Sequence, residues 1–338
     1  MGFSWWFWLK QWTQLPLVLA YNYVFRNKTF NSAMNKLRWM AKSGEVSDFK
    51  ALINDRDGGA VLDELKTKKG FHEVSNEQYS SRSRWVVKSK NLNKDSPILF
   101  FVHGGGFTLK PQKGQLMAVL KTYRALKNED LSILVVDYHV TPETQFPTPI
   151  DETFTVYHKL TEQDGFKNII IMGDSCGANL ASLVLYQSYH NSLNQFLKLS
   201  IRPNAALLMS PWVELDAKKT GSFLEKEQFD YISFESVDSW SKLYSENDRS
   251  NPLVSPLYLE NWDGVLPEKH FYHYGDGEVL TDQIVKFKNK LGVKDENVSI
   301  EPNGCHIPPF IQFPKLSQEE FEKTKWCKDT VAFLKTVV

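Results

Sequence analysis

The chain has 338 residues, 42% of them hydrophobic and 24% charged, with 40 basic against 40 acidic side chains and a formal net charge of zero. A chain of this length suits one large α/β domain or two modest ones, and the balanced charge speaks against nucleic acid or an acidic polymer as partner. Three cysteines are too few and too unevenly spaced for a disulfide framework, and without C-x-x-C or H-E-x-x-H spacings there is no zinc signal.

In chain order, the first element is FSWWFWLKQWTQLPLVLAYNYVF, Phe3 to Phe25, whose only charge is Lys10. It is long enough to span a bilayer as a helix, and its tryptophans suit the membrane interface. Residues 1–26 are therefore expected to associate with a membrane, as a span or an interfacial anchor; an aromatic arm packed on the protein's own cap is the alternative. Arg26, Lys28, Lys36 and Arg38 follow and would hold the body in the cytosol. The sequons Asn27-Lys28-Thr29 and Asn297-Val298-Ser299 would suit a lumenal body instead, so the orientation stays open.

Residues 27–80 are polar and helical in character. From Arg84 onward, short apolar runs alternate with helical patterns, which predicts a mainly parallel central sheet flanked by helices. The expected strands are WVVK, Ile98 to Val102, Ile133 to Val136, Ile169 to Met172, Ala205 to Met209, His270 to Tyr274 and NVSIE. Runs this apolar suit strands buried on both faces. Helices are expected near Gly114 to Leu126, Ile150 to Thr161, Ala178 to Tyr189, Leu280 to Leu291 and Gln318 to Thr336. Residues 214–262 hold many aromatics and no clear strand. With residues 27–80 they read as a helical cap over the strand ends, and 81–338 as the main domain carrying that insertion.

Two motifs carry chemistry. GDSCG, Gly173 to Gly177, is G-x-S-x-G placed directly after a strand and directly before a helix. That context presents Ser175 on a tight turn above the sheet, with glycines where side chains would clash. FVHGGGF, Phe101 to Phe107, also follows a strand. Its glycines Gly104, Gly105 and Gly106 let backbone N–H groups approach a ligand, as an oxyanion hole requires. Gly105 and Gly106, with the N–H of Cys176, are the expected donors. The lysine of a phosphate-binding P-loop is missing. His103 reads as a structural residue of this loop.

With these motifs in place, the order H-G-G-G, then DYHVTPETQFPTPIDE (Asp137 to Glu152), then G-D-S-x-G, then SPW (Ser210 to Trp212) resembles the hormone-sensitive-lipase family of α/β-hydrolases. Within it, the N-terminus and GDGEVLTD most resemble fungal steryl acetyl hydrolases. The resemblance implies an α/β-hydrolase fold with a helical cap and a serine esterase that needs no cofactor. It also implies short-acyl esters such as sterol acetates as substrates, and a membrane-associated enzyme at the endoplasmic reticulum. The aromatic cap fits a hydrophobic ester delivered from lipid. An arylformamidase, or a non-catalytic receptor on the same fold, is the alternative.

The chain order nucleophile, acid, histidine leaves His190, His270, His273 and His306 as candidate bases. The first closes a helix and the next two lie in a strand; His306 sits where the family places its base. The family often has glycine after this histidine, and here Ile307 and Pro308 follow. For the acid, YGDGEVLTDQ offers three residues. Asp276 precedes Gly277 in a turn pair, and Asp282 falls in the first turn of a helix, where it opposes the helix dipole. Glu278 has neither structural role, and the family's first acid aligns with it, so Ser175, Glu278 and His306 form the expected triad, with Asp276 as the alternative acid. Cys176 and Cys305 flank the site, and a thiol reagent there is expected to block it sterically.

Overall fold

The structure is a computed structural model that describes Lys50 and residues 55–338. The apolar segment at residues 1–26, and most of 27–54, lie outside the described residues. Eight strands form one sheet: β1 (Gln78–Ser80), β2 (Ser83–Val87), β3 (Ile98–Val102), β4 (Ser132–Val136), β5 (Ile169–Asp174), β6 (Ala205–Met209), β7 (Lys269–Gly275) and β8 (Val298–Glu301). Their order across the sheet is β1-β2-β4-β3-β5-β6-β7-β8. The two pairings at the β1 edge are antiparallel and all others parallel. The antiparallel edge strand β1 had no apolar run to announce it.

The helices are α1 (Gly58–Lys68), α2 (Lys113–Leu126), α3 (Thr148–His158), α4 (Cys176–His190), α5 (Ser222–Glu225), α6 (Phe234–Tyr244), α7 (Thr281–Lys290), α8 (Pro308–Ile311), α9 (Gln318–Glu322) and α10 (Lys325–Leu334). The single helix expected over 318–336 is two. Thr324 interrupts it, its hydroxyl accepting the Cys327 N–H at 3.2 Å to cap α10, which satisfies one of the donors a helix start leaves open.

Side chains along a strand alternate between faces, and both faces here are covered. In β3, Ile98, Phe100 and Val102 join one core and Leu99 and Phe101 the other. The first core includes Phe154 and Tyr157 of α3, Leu180 and Leu183 of α4, and Phe287 of α7. The second takes Val61, Leu62 and Leu65 of α1, Leu116 and Val119 of α2, and Trp326 of α10. Burial on two faces is why β3 and β6 are apolar at every position. Each buried side chain of this size contributes about 1.5–3 kcal/mol. In the described part of 27–80, α1 packs beside α2, while Asp55 accepts the Lys110 N–H at 3.1 Å and the Gly58 N–H donates to Asp137 at 3.0 Å, in the loops that follow β3 and β4.

Residues of the 214–262 stretch pack against the glycine loop that follows β3. Tyr244 of α6 stacks on Phe107 with ring centroids 3.7 Å apart, and Trp240 lies so close to Gly106 that a Cβ there would come within 2.6 Å of the indole. Among the described residues, no helix is long and apolar enough to cross a membrane.

Candidate active site

Because β3, β5, β6, β7 and β8 are parallel neighbours, the loops leaving their carboxyl ends open at one edge of the sheet, where open α/β sheets place ligands. Those loops carry the H-G-G-G motif, Ser175, Ser210, Glu278 and His306 in turn. The strand order therefore gathers residues up to 203 positions apart in sequence into one crevice, with His103 first and His306 last.

Ser175 occupies the turn between β5 and α4 with φ 54° and ψ −123°, a conformation that non-glycine residues rarely adopt. The turn is held by its own backbone: the Ser175 N–H donates to Met209 O at 2.9 Å, and the Trp212 N–H to Ser175 O at 3.1 Å. The flanking glycines are required by space. A Cβ on Gly173 would meet Gly177 O at 2.4 Å, and one on Gly177 would meet Val102 O at 2.1 Å.

The Ser175 hydroxyl lies 2.8 Å from His306 Nε2, and His306 Nδ1 lies 2.9 Å from Glu278 Oε2. The second carboxylate oxygen of Glu278 accepts from the Ser210 hydroxyl and from the Gly275 N–H, both at 2.6 Å. All three residues are buried, Glu278 completely. Burial alone would depress the His306 imidazole, but the hydrogen bond and charge of Glu278, with Asp230 and Asp174 nearby, outweigh it and hold the group above its usual value. Such a linkage orients the imidazole so that Nε2 is free to accept a proton from the hydroxyl.

The other two acids have structural partners. Asp276 accepts the Asn303 N–H at 2.6 Å, tying its turn to the loop after β8. Asp282 lies in the first turn of α7 and also accepts the Ser222 N–H at 2.9 Å, fastening α5 to the body. Neither carboxylate reaches His306.

The glycine loop requires one correction. The Gly104 N–H donates to Asp174 Oδ1 at 2.8 Å and is not available as an oxyanion donor. Gly104 serves closeness instead, since a Cβ there would lie 2.3 Å from Asp174 Oδ2 and 2.9 Å from Ser175 Cβ. Gly105 and Gly106 line the same cavity as Ser175 and His306, and Cys176, as the first residue of α4, has an N–H with no carbonyl one turn back. The cavity is about 200 Å³; its apolar wall includes Leu109, Tyr231, Ile232, Trp240, Ile307 and Phe310, and Gln112 and Gln115 also line it.

The sequence profile of the steryl acetyl hydrolase family matches residues 21–333. The chain belongs to this family. Among its relatives is the mug81 protein of Schizosaccharomyces pombe, provisionally named a steryl acetyl hydrolase, 27% identical over 302 residues, which cover 81% of this chain and 78% of that one. An esterase of Acinetobacter venetianus is 32% identical over 210 residues, 60% of this chain and 63% of that one. Steryl acetyl hydrolase 1 of Saccharomyces cerevisiae is 25% identical over 248 residues, 65% and 55% of the two chains. Of solved structures, an esterase from the bacterial hormone-sensitive lipase family superposes with a TM-score of 0.65 at 20% identity, covering 91% of this chain and 99% of that one. A hormone-sensitive lipase from a metagenome library does so with 0.65 at 22% identity, over 89% and 97%. These structures establish the α/β-hydrolase fold, and with the family they make the protein a carboxylic ester hydrolase.

The other four histidines weighed in the sequence of this steryl acetyl hydrolase family member, His103, His190, His270 and His273, are structural. His103 is buried, stacks on Tyr138 at 4.3 Å, and is pushed down to about 4 by burial. His273 is likewise pushed down to about 3. His190 and His270 hold backbone carbonyls. Cys176 receives the Phe107 N–H at 3.2 Å and so shapes the glycine loop, while burial pushes its thiol up to about 12. Cys305 is also buried and raised. Buried neutral thiols are poor nucleophiles, which works against the expected inhibition by thiol reagents.

Three residues at the site had no assigned role beforehand. Ser210 orients Glu278. Asp174 holds Gly104 and is held by Gln115 Nε2 at 2.8 Å; burial pushes it up to about 7. Asp230 is buried beside His306 and pushed up to about 6 by burial. The one sequence signal for Asp230 is an acid inside the apolar run FDYISF.

Proposed function

We propose that the protein hydrolyses short-acyl esters of hydrophobic alcohols, sterol acetates among them, through an acyl intermediate on Ser175. The observation that carries this reading is the Ser175–His306–Glu278 chain of hydrogen bonds opening into a small apolar cavity. His306 Nε2 takes the hydroxyl proton as Ser175 Oγ attacks the carbonyl carbon, and the N–H groups of Gly105, Gly106 and Cys176 receive the oxyanion. His306 then gives the proton to the departing alkoxide, and a water molecule repeats the sequence on the acyl-serine.

A cavity of about 200 Å³ is below the range of about 300–1,000 Å³ usual for drug-sized ligands. It suits a short acyl group with the alcohol directed toward the mouth. The family description and the names of two relatives support a sterol as that alcohol. The apolar segment Phe3 to Phe25 supports a body held at a membrane, in this reading that of the endoplasmic reticulum, where such an ester resides. A receptor that has lost catalysis is disfavoured by the retained base, and an arylformamidase by that same segment.

The test compares wild type with Ser175→Ala on p-nitrophenyl esters of increasing acyl length and on a sterol acetate in detergent micelles. Serine-dependent turnover, highest for acetyl and falling with each added carbon, is expected. Turnover surviving in Ser175→Ala, or a preference for long acyl chains, would refute the proposal.

A further inference from the structure

Asp230 lies on the cap between α5 and α6, yet its carboxylate is completely buried against the main domain. Oδ1 accepts the His306 N–H at 3.0 Å and the Tyr231 N–H at 2.8 Å, and Oδ2 accepts the Val279 N–H at 2.9 Å. One carboxylate thus grips the peptide of the base and the peptide just after Glu278. Neither of those two N–H groups has another acceptor among the described residues. They belong to different strand-end loops, which are also tied at their far side by the Gly277 N–H to Gly304 O at 2.9 Å and the Asn303 N–H to Asp276 Oδ1 at 2.6 Å, whereas Asp230 holds the two peptides nearest the base and the acid from the cap.

The neighbours of Asp230 face elsewhere. Phe229 is 47% exposed on the surface of the cap. Tyr231 and Ile232 line the cavity beside Ser175, and the Tyr231 ring centroid is 6.2 Å from that of His306. Within four residues the cap therefore presents an apolar side chain outward, a carboxylate to the base, and a wall to the substrate.

We propose that Asp230 is a positioning residue that makes the working geometry of His306 depend on the seating of the cap. With the cap seated, Asp230 fixes the backbone from which His306 and Glu278 both project, and places a second negative charge near the imidazole. With the cap displaced, two buried N–H groups lose their acceptor and the base is released from its position. Reacting groups misplaced by about 1 Å lose rate on the order of a hundredfold. The ionisable groups facing His306 are Glu278, Asp230 and Asp174, and those facing Asp230 are His306, Glu278, Tyr231 and Cys305. Removing Asp230 therefore leaves two carboxylates at the imidazole.

This inference rests on the reading of Ser175 as nucleophile, so Ser175→Ala is measured alongside. The experiment is the pH profile of p-nitrophenyl acetate hydrolysis by Asp230→Asn, normalised to sites titrated with a fluorophosphonate. The acid limb of kcat/KM reports the base of the free enzyme. The expected result is a kcat lowered roughly tenfold to a hundredfold, a KM within about threefold, and an acid limb moved to lower pH by about half a pH unit or more. A role confined to folding would lower the titrated fraction and leave the limb in place. A kcat per titrated site within about twofold of wild type, or a lowered kcat with the limb unmoved, would overturn the proposal. If Asp230→Asn does not fold, Asp230→Glu replaces it, keeping the charge but displacing the carboxylate. A wild-type limb with kcat down roughly tenfold is then expected, and a wild-type kcat would overturn the idea. Turnover surviving in Ser175→Ala would sink the nucleophile reading itself. An inactive Ser175→Ala beside a normal Asp230→Asn would sink this inference alone.

Discussion

Replacing Glu278 by glutamine changes one atom and no volume, and the surrounding donors decide the outcome. Oε1 accepts from the Ser210 hydroxyl and the Gly275 N–H, and Oε2 faces His306 Nδ1. A glutamine keeping its carbonyl at the Oε1 position satisfies the first two donors and turns its NH₂ toward Nδ1. The imidazole must then leave Nδ1 unprotonated and carry its proton on Nε2, which faces Ser175 Oγ at 2.8 Å and can no longer accept from it. Flipping the amide would set the NH₂ against the Gly275 N–H, a backbone donor that cannot rotate away. The wrong tautomer is thereby enforced, and kcat should fall by roughly 10⁴-fold, the loss known for an acid-to-amide change in a serine protease triad. That corresponds to about 5 kcal/mol of transition-state stabilisation. Hydrolysis of p-nitrophenyl acetate per folded molecule measures it, with Asp276→Asn as the control expected near wild type. Activity of Glu278→Gln within about tenfold of wild type would refute the tautomer argument, and an inactive Asp276→Asn would move the acid to the turn.

Two further outcomes follow from burial. His273 is wholly buried near Trp326, Lys325 and Asp329, and pushed down to about 3 from the ordinary 6.5 by burial first and Lys325 second. Its folded form binds no proton where its unfolded form does, so its contribution to stability is present above pH 6.5 and is lost as pH falls toward about 3. His273→Phe should gain about 2 kcal/mol on wild type between pH 6 and pH 4 in urea unfolding, and a difference that does not change with pH would be evidence against it. Asp174 and Asp230 act in the opposite direction over this range, which is why the comparison is between variants rather than of the total. Trp240→Ala should enlarge the cavity beside Gly106 and shift preference from acetyl toward butyryl or longer esters, by roughly tenfold per methylene accommodated; an unchanged chain-length profile would show that the acyl group sits elsewhere.

The sheet was legible because its central strands are buried on both faces, so β3 to β6 each read as an apolar run of four or five residues, while β7 shows as an aromatic run broken by histidines. Ser175 and the glycine loop were legible because steric need fixes residue type at fixed spacing. Glu278 could be separated from Asp276 and Asp282 because a turn and a helix start each leave a local mark. Asp230 left only an acid inside an apolar run, with no hint of a role, since its partner His306 lies 76 residues away and nothing periodic connects them. Ser210 was visible only as part of SPW, for the same reason. The Gly104 N–H was misassigned because a glycine-rich run shows that backbone can approach a group closely, and not which N–H is already bound. The split at Thr324 was missed because its apolar spacing continues on both sides, and only the capping bond interrupts it.

Backbone strain gives a separate marker of the site. Among the described residues, nine non-glycine residues have positive φ, four of which are asparagines, the residue that tolerates this region best. Lys127 ends α2 in the left-handed conformation common at helix C-caps. The remaining four are Phe107, Ser175, Ser210 and Ile307, each at a cost on the order of 1–2 kcal/mol. All four lie on the strand-end loops of the crevice, and in each the side chain is in use. Phe107 stacks on Tyr244, Ser175 meets His306, Ser210 orients Glu278, and Ile307 walls the cavity. Ile307 is the sharpest case, because a β-branched side chain at φ 46° is unusual and glycine there would remove the strain. Glycine would also remove the wall beside Ser175. Strain here is confined to positions where the relaxed alternative lacks the working side chain, which is the distribution expected when stability is traded for function at a site.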